Sequence, residues 1–223
     1  FSFATDESEA FWLPVAEPSD PEKPFAELRI EGDDKFDLMP HLKPIFEDAS
    51  VSKNGQNAKY DILVLRNYGI EVTGLGFDTM LASYLLNPTN RQHNLDALAL
   101  EHFNISKIPT SELIGKGKNQ ITMREVDPEK VAEYACEDAD VTERLYKKLS
   151  SKISEAGLED LTHDVEIPLV DVLVKMEHNG VALDVDYLEQ MSADMESRLG
   201  KLQEEIYASA GEEFNINSTK QLG

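Results

Sequence analysis

The sequence has little cysteine, little tryptophan and little positive charge for its 223 residues. Cys136 is its single cysteine, which excludes an internal disulfide and a zinc site built from thiolates and favours a reducing cytoplasm. Its 21 Lys and Arg residues are outnumbered by 43 Asp and Glu residues, for a net charge of -22. This balance argues against a protein that grips duplex DNA mainly by neutralising phosphates, because that mode needs a basic surface.

Long hydrophobic runs are also missing. A membrane-spanning helix needs roughly 20 apolar residues in succession, whereas apolar runs here, such as Ile62–Leu65, stop after a few positions. The first ten residues, FSFATDESEA, lack the basic region and apolar stretch of a secretory signal. With 41% hydrophobic residues, the chain predicts a globular protein with one substantial core. We expect a cytoplasmic monomer without membrane contact.

Strand patterns come first along the chain and helix patterns follow. FSFAT and EAFWLPV read as two strands joined by a turn at residues 6–8, and VSKNGQ reads as a further strand end. Apolar spacing and capping residues predict helices at 36–46, 58–68, 78–86, 94–103, 127–153, 158–178 and 186–210. This order predicts an α/β domain over residues 1–155, followed by a helical hairpin within residues 156–223.

Two sequence positions suggest chemistry. Tyr134 and Asp138 are four residues apart on a predicted helix, which places a phenol and a carboxylate on one face. Asp61 lies at a predicted strand-to-helix junction, four residues after Asn57. A carboxylate on a first helical turn is more often a dipole-stabilising residue than a ligand, and a Tyr/Asp pair arises easily by chance. The pattern by itself leaves both readings open.

Six ordered segments give these positions a context. They are NGQNAKYD, GFDTMLASYLLNP, HNLDALA, IGKGKNQ, YACEDADVT and EIPLVDVLVKMEHNGVALD. In this order and spacing the chain resembles the 3′-5′ proofreading exonuclease domain of bacterial family A DNA polymerases. The likeness covers nearly the whole chain, and the final FNINSTKQLG resembles the start of the polymerase domain.

The resemblance implies a ribonuclease H-like mixed sheet flanked by helices, with a site of four carboxylates and one tyrosine. Two divalent cations, Mg²⁺ or Mn²⁺, suit such a set of hard oxygen ligands. The likeness assigns Asp138 as a direct metal ligand and Asp61 as a ligand of the second ion, directly or through water. It assigns Tyr134 to orient the attacking water.

The implied substrate is the 3′ end of single-stranded DNA, and the implied partner is the remainder of a polymerase chain. Gln56, Asn57 and Tyr60 correspond to contacts with the DNA terminus. Arg91 lies in a loop that runs near the bound strand in the family. Its side chain either contacts a phosphate of that strand or is simply solvated at the surface. Pro109–Ser111 stands where the family often has an aromatic wedge, so strand separation by stacking there is not expected.

One family motif has no counterpart in the printed sequence. The family carries Asp-x-Glu on a central strand just before the segment that corresponds to FSFAT, and here that segment starts at Phe1. Asp6 and Glu7 are adjacent, so on a strand they point to opposite faces and do not replace the motif. We therefore expect an N-terminally truncated exonuclease domain whose own activity is impaired. The alternative is a non-catalytic, nuclease-like module that supports the polymerase and contacts DNA.

Overall fold

The computed structural model describes residues 1–6, 9–13, 15–16, 29–30, 33–37 and 39–222. They fall into two compact units, Phe1–His178 and Asn179–Gly223. The first unit contains strands and helices, and the second is helical. The predicted α/β class is confirmed, and most of the described chain is helical.

The strands form small separate sheets. β1 (Ser2–Asp6) pairs antiparallel with β2 (Glu9–Trp12), and a three-stranded antiparallel sheet follows. Its strands are β3 (Val15–Ala16), β4 (Arg29–Ile30) and β5 (Asp33–Asp37). The last pair is parallel and consists of β6 (Lys53–Gly55) and β7 (Leu75–Asp78).

Helices follow or connect these strands. In the first unit they are α1 (Met39–Glu47), α2 (Ala58–Asn67), α3 (Thr79–Leu86), α4 (Leu95–Phe103), α5 (Thr110–Ile114), α6 (Pro128–Glu155), α7 (Glu159–Leu161) and α8 (Ile167–Asn179). Short 3₁₀ turns lie at Gly117–Asn119 and Met123–Glu125. The β6–α2–β7 order makes a parallel unit with a helical crossover, so the ends of β6 and β7 that precede α2 and α3 meet at one edge.

The main core forms where α6 packs against α3, α4 and β7. Four residues on one face of α6 are buried in it at intervals of four: Val141, Leu145, Leu149 and Ile153. They meet fully buried Leu98 of α4 and Ala82 of α3. The same helix also contacts β1, β2 and β6, so one long helix holds both strand pairs.

The second unit contains α9 (Val185–Ala210) and α10 (Thr219–Leu222). Asp184 caps α9 by accepting from the backbone N–H of Tyr187 at 2.9 Å, and Gly211 ends it in the left-handed conformation. Apolar residues three or four positions apart are exposed along α9, at Leu188, Met191, Met195, Leu199, Leu202 and Ile206.

The structure corrects two local predictions and adds elements that were not predicted. The helix predicted from Phe36 starts only at Met39, and Phe36 lies in β5. The helix predicted over 158–178 is divided into α7, a π-helical turn at Thr162–Glu166 and α8. β7 and α5 were not predicted, since a four-residue strand and a five-residue helix show too little periodicity. Residues 7 and 8 of the turn expected at 6–8 lie outside the described residues. Among the described residues, no helix is long and apolar enough to cross a membrane.

Candidate functional site

Tyr134 and Asp138 lie side by side on α6. Asp127 caps this helix by accepting from the backbone N–H of Glu129 at 3.0 Å, and Pro128 occupies the first turn, where its missing N–H costs nothing. The buried stripe further along α6 fixes the rotation of the helix. The predicted pairing of a phenol and a carboxylate on one face is therefore present, and Tyr134 contributes a hydrogen bond to the Asp138 carboxyl group.

Lys107 holds the carboxylate of this pair. Its side chain is 1% exposed, and its Nζ forms an ion pair with Asp138 Oδ1. The same Nζ lies 3.6 Å from Glu137 Oε2 and 3.9 Å from Asp96 Oδ1. A buried ammonium group is costly unless it is paired, and here three carboxylates surround it.

Burial and charge act against each other in this cluster. Burial alone lowers the pKa of Lys107, but the hydrogen bond and charge of Asp138, with the charges of Glu137 and Asp96, raise it above its ordinary value. Burial raises the pKa of Asp138, and the hydrogen bond and charge of Lys107 oppose that rise. The lysine thus remains charged and supplies the positive charge beside Asp138.

The segment that carries Lys107 follows the same face of α6. The backbone N–H of Ile108 donates to Glu137 Oε2 at 2.9 Å, and the hydroxyl groups of Thr110 and Tyr134 are hydrogen-bonded at 3.1 Å. Lys107 Nζ lies 5.2 Å from the centre of the Tyr134 ring, within cation–π range. Sequence reasoning missed this segment, although a lysine between two isoleucines in the stretch ISKIP was a signal.

Asp61 lies in the first turn of α2. The residue as a whole is exposed, but partial burial of its carboxyl group raises the pKa to about 6. A backbone hydrogen bond within Asp61 opposes the rise, and the negative charge of Asp78 adds to it. Asp61 is therefore a carboxylate whose charge is unfavourable in the folded protein at neutral pH.

Asp78 organises the strand edge beside Asp61. Its carboxylate caps α3 by accepting from the backbone N–H groups of Met80 at 2.8 Å and Leu81 at 3.2 Å. It also caps α2, accepting from Ala58 at 2.7 Å and Asn57 at 3.2 Å. Burial raises the pKa of Asp78, and these four hydrogen bonds oppose the rise. The cap on α3 was predicted from the sequence, but the bonds to α2 were not.

Gln56 and Asn57 precede α2. Asn57 adopts the left-handed conformation with φ of 57°, which Asn tolerates better than most residues. Gln56 Nε2 donates to the backbone carbonyl of His93 at 2.8 Å, and its Oε1 accepts from the Thr79 hydroxyl. The Gln56 side chain thus ties the start of α2 to the loop that contains Arg91.

Tyr60 and Arg91 face solvent. The Tyr60 side chain is 66% exposed on the first turn of α2, and Arg91 is exposed in its loop. An exposed aromatic ring can stack on a base, and an exposed guanidinium group can meet a phosphate. Both residues are accessible to a ligand, as their predicted roles require.

The candidate residues form two local groups, one around Asp138 on α6 and one around Asp61 and Asp78 at the α2–α3 edge. Within the described part of the chain, no group of three or more His, Cys, Asp and Glu side chains is arranged to hold a metal ion. Carboxylate oxygens are nevertheless the donors that Mg²⁺ prefers, and Mg²⁺ is commonly held by one or two carboxylates together with water and substrate phosphates. Asp61 and Asp138 carry oxygen donors of this kind.

Comparison with known proteins assigns a context to this arrangement. A family model described as 3′-5′ exonuclease, of the family A DNA polymerases, matches residues 18–154. DNA polymerase I of Rhizobium leguminosarum is 42% identical over 187 residues, which are 84% of this chain and 18% of that protein. DNA polymerase I of Pseudomonas aeruginosa is 39% identical over 100% of this chain and 24% of its own length. The chain thus spans less than a quarter of each of these two relatives.

One solved structure carries the likeness into three dimensions. The POL domain of Pol1 from M. smegmatis, in complex with DNA primer-template and dNTP, superimposes with a TM-score of 0.65 at 24% identity. The match covers 82% of this chain and 29% of the other. At this identity the likeness establishes a shared fold.

Proposed function

Because the chain belongs to the 3′-5′ exonuclease family of DNA polymerases, we propose that it removes nucleotides one at a time from the 3′ end of single-stranded DNA. In a polymerase this reaction excises mispaired nucleotides and releases nucleoside monophosphates. The observation that carries the proposal is the Tyr134–Asp138 pair on one face of α6, held there by Lys107 and Thr110. A helix that served packing alone has no need for this polar cluster.

Asp138 and Asp61 would hold Mg²⁺ or Mn²⁺ through their carboxylate oxygens. Two such ions, when bound, would supply an activated water and stabilise the charge on the phosphate and the leaving 3′ oxygen. The Tyr134 hydroxyl, already oriented by Thr110, positions the attacking water by hydrogen bonding. Asp138 keeps a fixed orientation because Lys107 neutralises its charge from the protein side.

The residues around α2 bind the DNA end. Tyr60 offers its exposed ring for stacking on a terminal base, and Asn57 offers polar groups at the helix start. Gln56 contacts the DNA end through a side chain that is already hydrogen-bonded to His93 and Thr79. Arg91 contacts a phosphate of the strand. This mode suits an acidic protein, because stacking and local contacts replace a broad basic surface.

We place the site within a ribonuclease H-like sheet. The family's sheet includes a central strand carrying Asp-x-Glu, and we assign its place between β1 and β6, since α6 packs against both. The exonuclease domain then covers residues 1–155, and residues 156–223 connect it to a polymerase domain. The exposed apolar face of α9 suits packing against the remainder of such a polymerase. We expect the whole to work as a cytoplasmic monomer.

The decisive experiment uses the full-length protein that contains this sequence. A 5′-labelled single-stranded oligonucleotide incubated with Mg²⁺ is expected to shorten from its 3′ end, with release of nucleoside monophosphates. Asp138→Ala is expected to lower the rate by at least about 100-fold. Asp194→Ala, which changes an exposed carboxylate on α9, serves as the matched control and is expected to leave the rate unchanged.

The same assay distinguishes an active exonuclease from a non-catalytic, nuclease-like module. Equal rates for the unchanged protein and Asp138→Ala contradict the proposal, and a total lack of Mg²⁺-dependent degradation favours the non-catalytic module. The 223-residue polypeptide tested by itself is expected to degrade little DNA and to bind Mn²⁺ weakly, since it offers Asp61 and Asp138 without the Asp-x-Glu pair. Robust degradation by that polypeptide contradicts the four-carboxylate assignment.

A further inference from the structure

Lys107 lies outside the set of residues assigned to metal or DNA. We propose that Lys107 is a positioning residue, which fixes the Asp138 carboxylate and the Tyr134 ring before any metal ion or DNA binds. The inference rests on the proposed function for its consequence in catalysis. The contact itself stands on the geometry of the protein alone.

The burial of Lys107 is the first argument. Its side chain is 1% exposed although lysine is among the residues least often fully buried. Removing an ammonium group from water carries a penalty that is offset only by close ionic partners and hydrogen bonds. The closest partner is Asp138, with Glu137 and Asp96 at 3.6 and 3.9 Å. A lysine with a purely apolar packing role has no reason to place its charged end here.

The surroundings of the Tyr134 ring are the second argument. Lys107 Nζ lies 5.2 Å from the ring centre, so one cation contacts both members of the pair. A cation over the face of an aromatic ring is attracted to it electrostatically, so this contact restricts rotation of the Tyr134 ring. Thr110 then fixes the far end of the same side chain through the hydrogen bond to its hydroxyl group. Ring face and hydroxyl group are held by one short segment.

A backbone hydrogen bond also joins the segment of Lys107 to α6. Ile108, between Lys107 and Thr110, donates its N–H to Glu137, so residues 107–110 contact α6 at positions 134, 137 and 138. Glu137 is thereby held by a backbone donor, and Lys107 approaches Asp138 more closely than it approaches Glu137. Because Ile108 already donates to Glu137, Lys107 pairs mainly with Asp138, the carboxylate assigned to the metal. Loss of Lys107 removes the cation that pairs with both Asp138 and Asp96, whose negative charges act on each other.

The first test measures the contact without metal or DNA. The purified full-length protein that contains this sequence is labelled with 3-fluorotyrosine, and the Tyr134 resonance is assigned in its ¹⁹F spectrum by its loss in Tyr134→Phe. Lys107→Met keeps the length of the side chain but removes its charge, so we expect the Tyr134 resonance to move or broaden. Lys107→Arg keeps the charge, so we expect it to restore the position at least in part.

Lys148→Met is the matched control. Lys148, on α6, lies 5.0 Å from the centre of the Phe103 ring and donates to the backbone carbonyl of His102 at 2.7 Å. It therefore resembles Lys107 in chemistry but contacts neither Tyr134 nor Asp138. Lys148→Met is expected to leave the Tyr134 resonance in place. An unmoved resonance in Lys107→Met, or an equal change in Lys148→Met, overturns the proposal.

The second test measures exonuclease kinetics in the full-length protein. Misplacing a catalytic group costs up to about 100-fold in rate, so Lys107→Met is expected to lower kcat by roughly 10- to 100-fold and to change KM for the oligonucleotide less than about twofold. Lys107→Arg is expected to recover part of kcat. A rise in KM at unchanged kcat overturns the positioning role, because it indicates a DNA contact instead.

If Lys107→Met does not fold, a second variant tests the same contact. Lys107→Met combined with Asp138→Asn removes the lysine and the charge it neutralises, so no carboxylate at position 138 is left buried and unpaired. If this variant folds and its Tyr134 resonance still differs from that of Asp138→Asn alone, the cation–π contact is supported; identical spectra overturn it. A moved resonance in a protein that degrades no DNA rejects the proposed function and leaves the positioning contact standing.

Discussion

The carboxylate of Asp78, at the end of β7, accepts a 2.7 Å hydrogen bond from the backbone N–H of Ala58, the first residue of α2. The same carboxylate caps α3, so one buried side chain satisfies the N-termini of two helices. Helix N-termini leave backbone N–H groups without partners inside the helix. Asp78 therefore fixes the position of the start of α2 relative to the sheet. Asp61, in the first turn of α2, is positioned with it.

Replacement of Asp78 by Ala is expected to destabilise the protein strongly. Four backbone N–H groups lose their acceptor at a site that is 3% exposed, where water cannot readily replace it. A single exposed cap is worth about 1 kcal/mol, so we expect a loss of roughly 3 kcal/mol in the free energy of unfolding, measured by urea denaturation.

Asn94→Ala is the matched control for this change. Asn94 caps α4 alone, accepting from Ala97 at 2.9 Å on an exposed turn. Its loss is expected to cost about 1 kcal/mol. Equal losses for the Asp78 and Asn94 variants would show that the bonds to α2 contribute nothing.

Local signals in the sequence were sufficient for the helices. Asp78, Asn94 and Asp127 each cap a helix that was predicted to begin there, because capping depends on residues two or three positions apart. The second role of Asp78 was not predictable in this way. Its bond to Ala58 spans 20 residues and exists because β6 and β7 pair in parallel.

The same distinction applies to the candidate site. The spacing of four was sufficient to predict that Tyr134 and Asp138 share one helix face, which the structure confirms. Lys107 is 31 residues before Asp138, in a segment with no periodic pattern, so no local rule connects them. The predicted roles of Asp61 and Asp138 came from the resemblance to a family, whereas the cation between α4 and α6 became visible only in the folded chain.

Asp61→Asn is expected to stabilise the protein at neutral pH. The folded-state pKa of about 6 lies above the ordinary value of 3.8, so the folded state binds this proton more tightly than the unfolded state does. The free energy of unfolding therefore falls as pH rises from about 4 to about 6, and the full penalty is present above pH 6. Because Asp61 is exposed, we expect a gain of only about 1 kcal/mol in the Asn variant.

Thermal or urea unfolding at pH 4 and pH 7.5 checks this sign. The stabilisation by Asp61→Asn is expected at pH 7.5 and should largely vanish near pH 4, where the Asp61 carboxyl group is protonated in the folded protein. Asp194→Asn, on exposed α9, controls for a general effect of removing negative charge from a protein of net charge -22. A larger stabilisation at pH 4 than at pH 7.5 contradicts the assignment.

Metal affinity is expected to weaken in acid. A carboxylate must lose its proton to bind Mn²⁺, so each pH unit below about 6 lowers the affinity of a site that uses Asp61 by up to about tenfold. The raised pKa of Asp138 acts in the same direction. Mn²⁺ titration of the full-length protein, followed by electron paramagnetic resonance at pH 5 and pH 7.5, measures the change.

Asp61→Asn provides the control for the metal titration. This variant is expected to bind Mn²⁺ more weakly at pH 7.5 and to show a smaller difference between the two pH values. An affinity that is the same at pH 5 and pH 7.5 in the unchanged protein is incompatible with Asp61 as a ligand of the ion.

Tyr134→Phe is expected to separate catalysis from stability. The change removes a hydroxyl group whose hydrogen bond to Thr110 lies on an exposed part of the protein, so the free energy of unfolding should fall by less than about 1 kcal/mol. The ring remains for the contact with Lys107. If the hydroxyl group orients the attacking water, kcat for a single-stranded oligonucleotide should fall by roughly 100-fold. Tyr84→Phe, at a half-exposed tyrosine beside His93, should leave kcat unchanged, and equal rates for both variants would remove Tyr134 from the reaction.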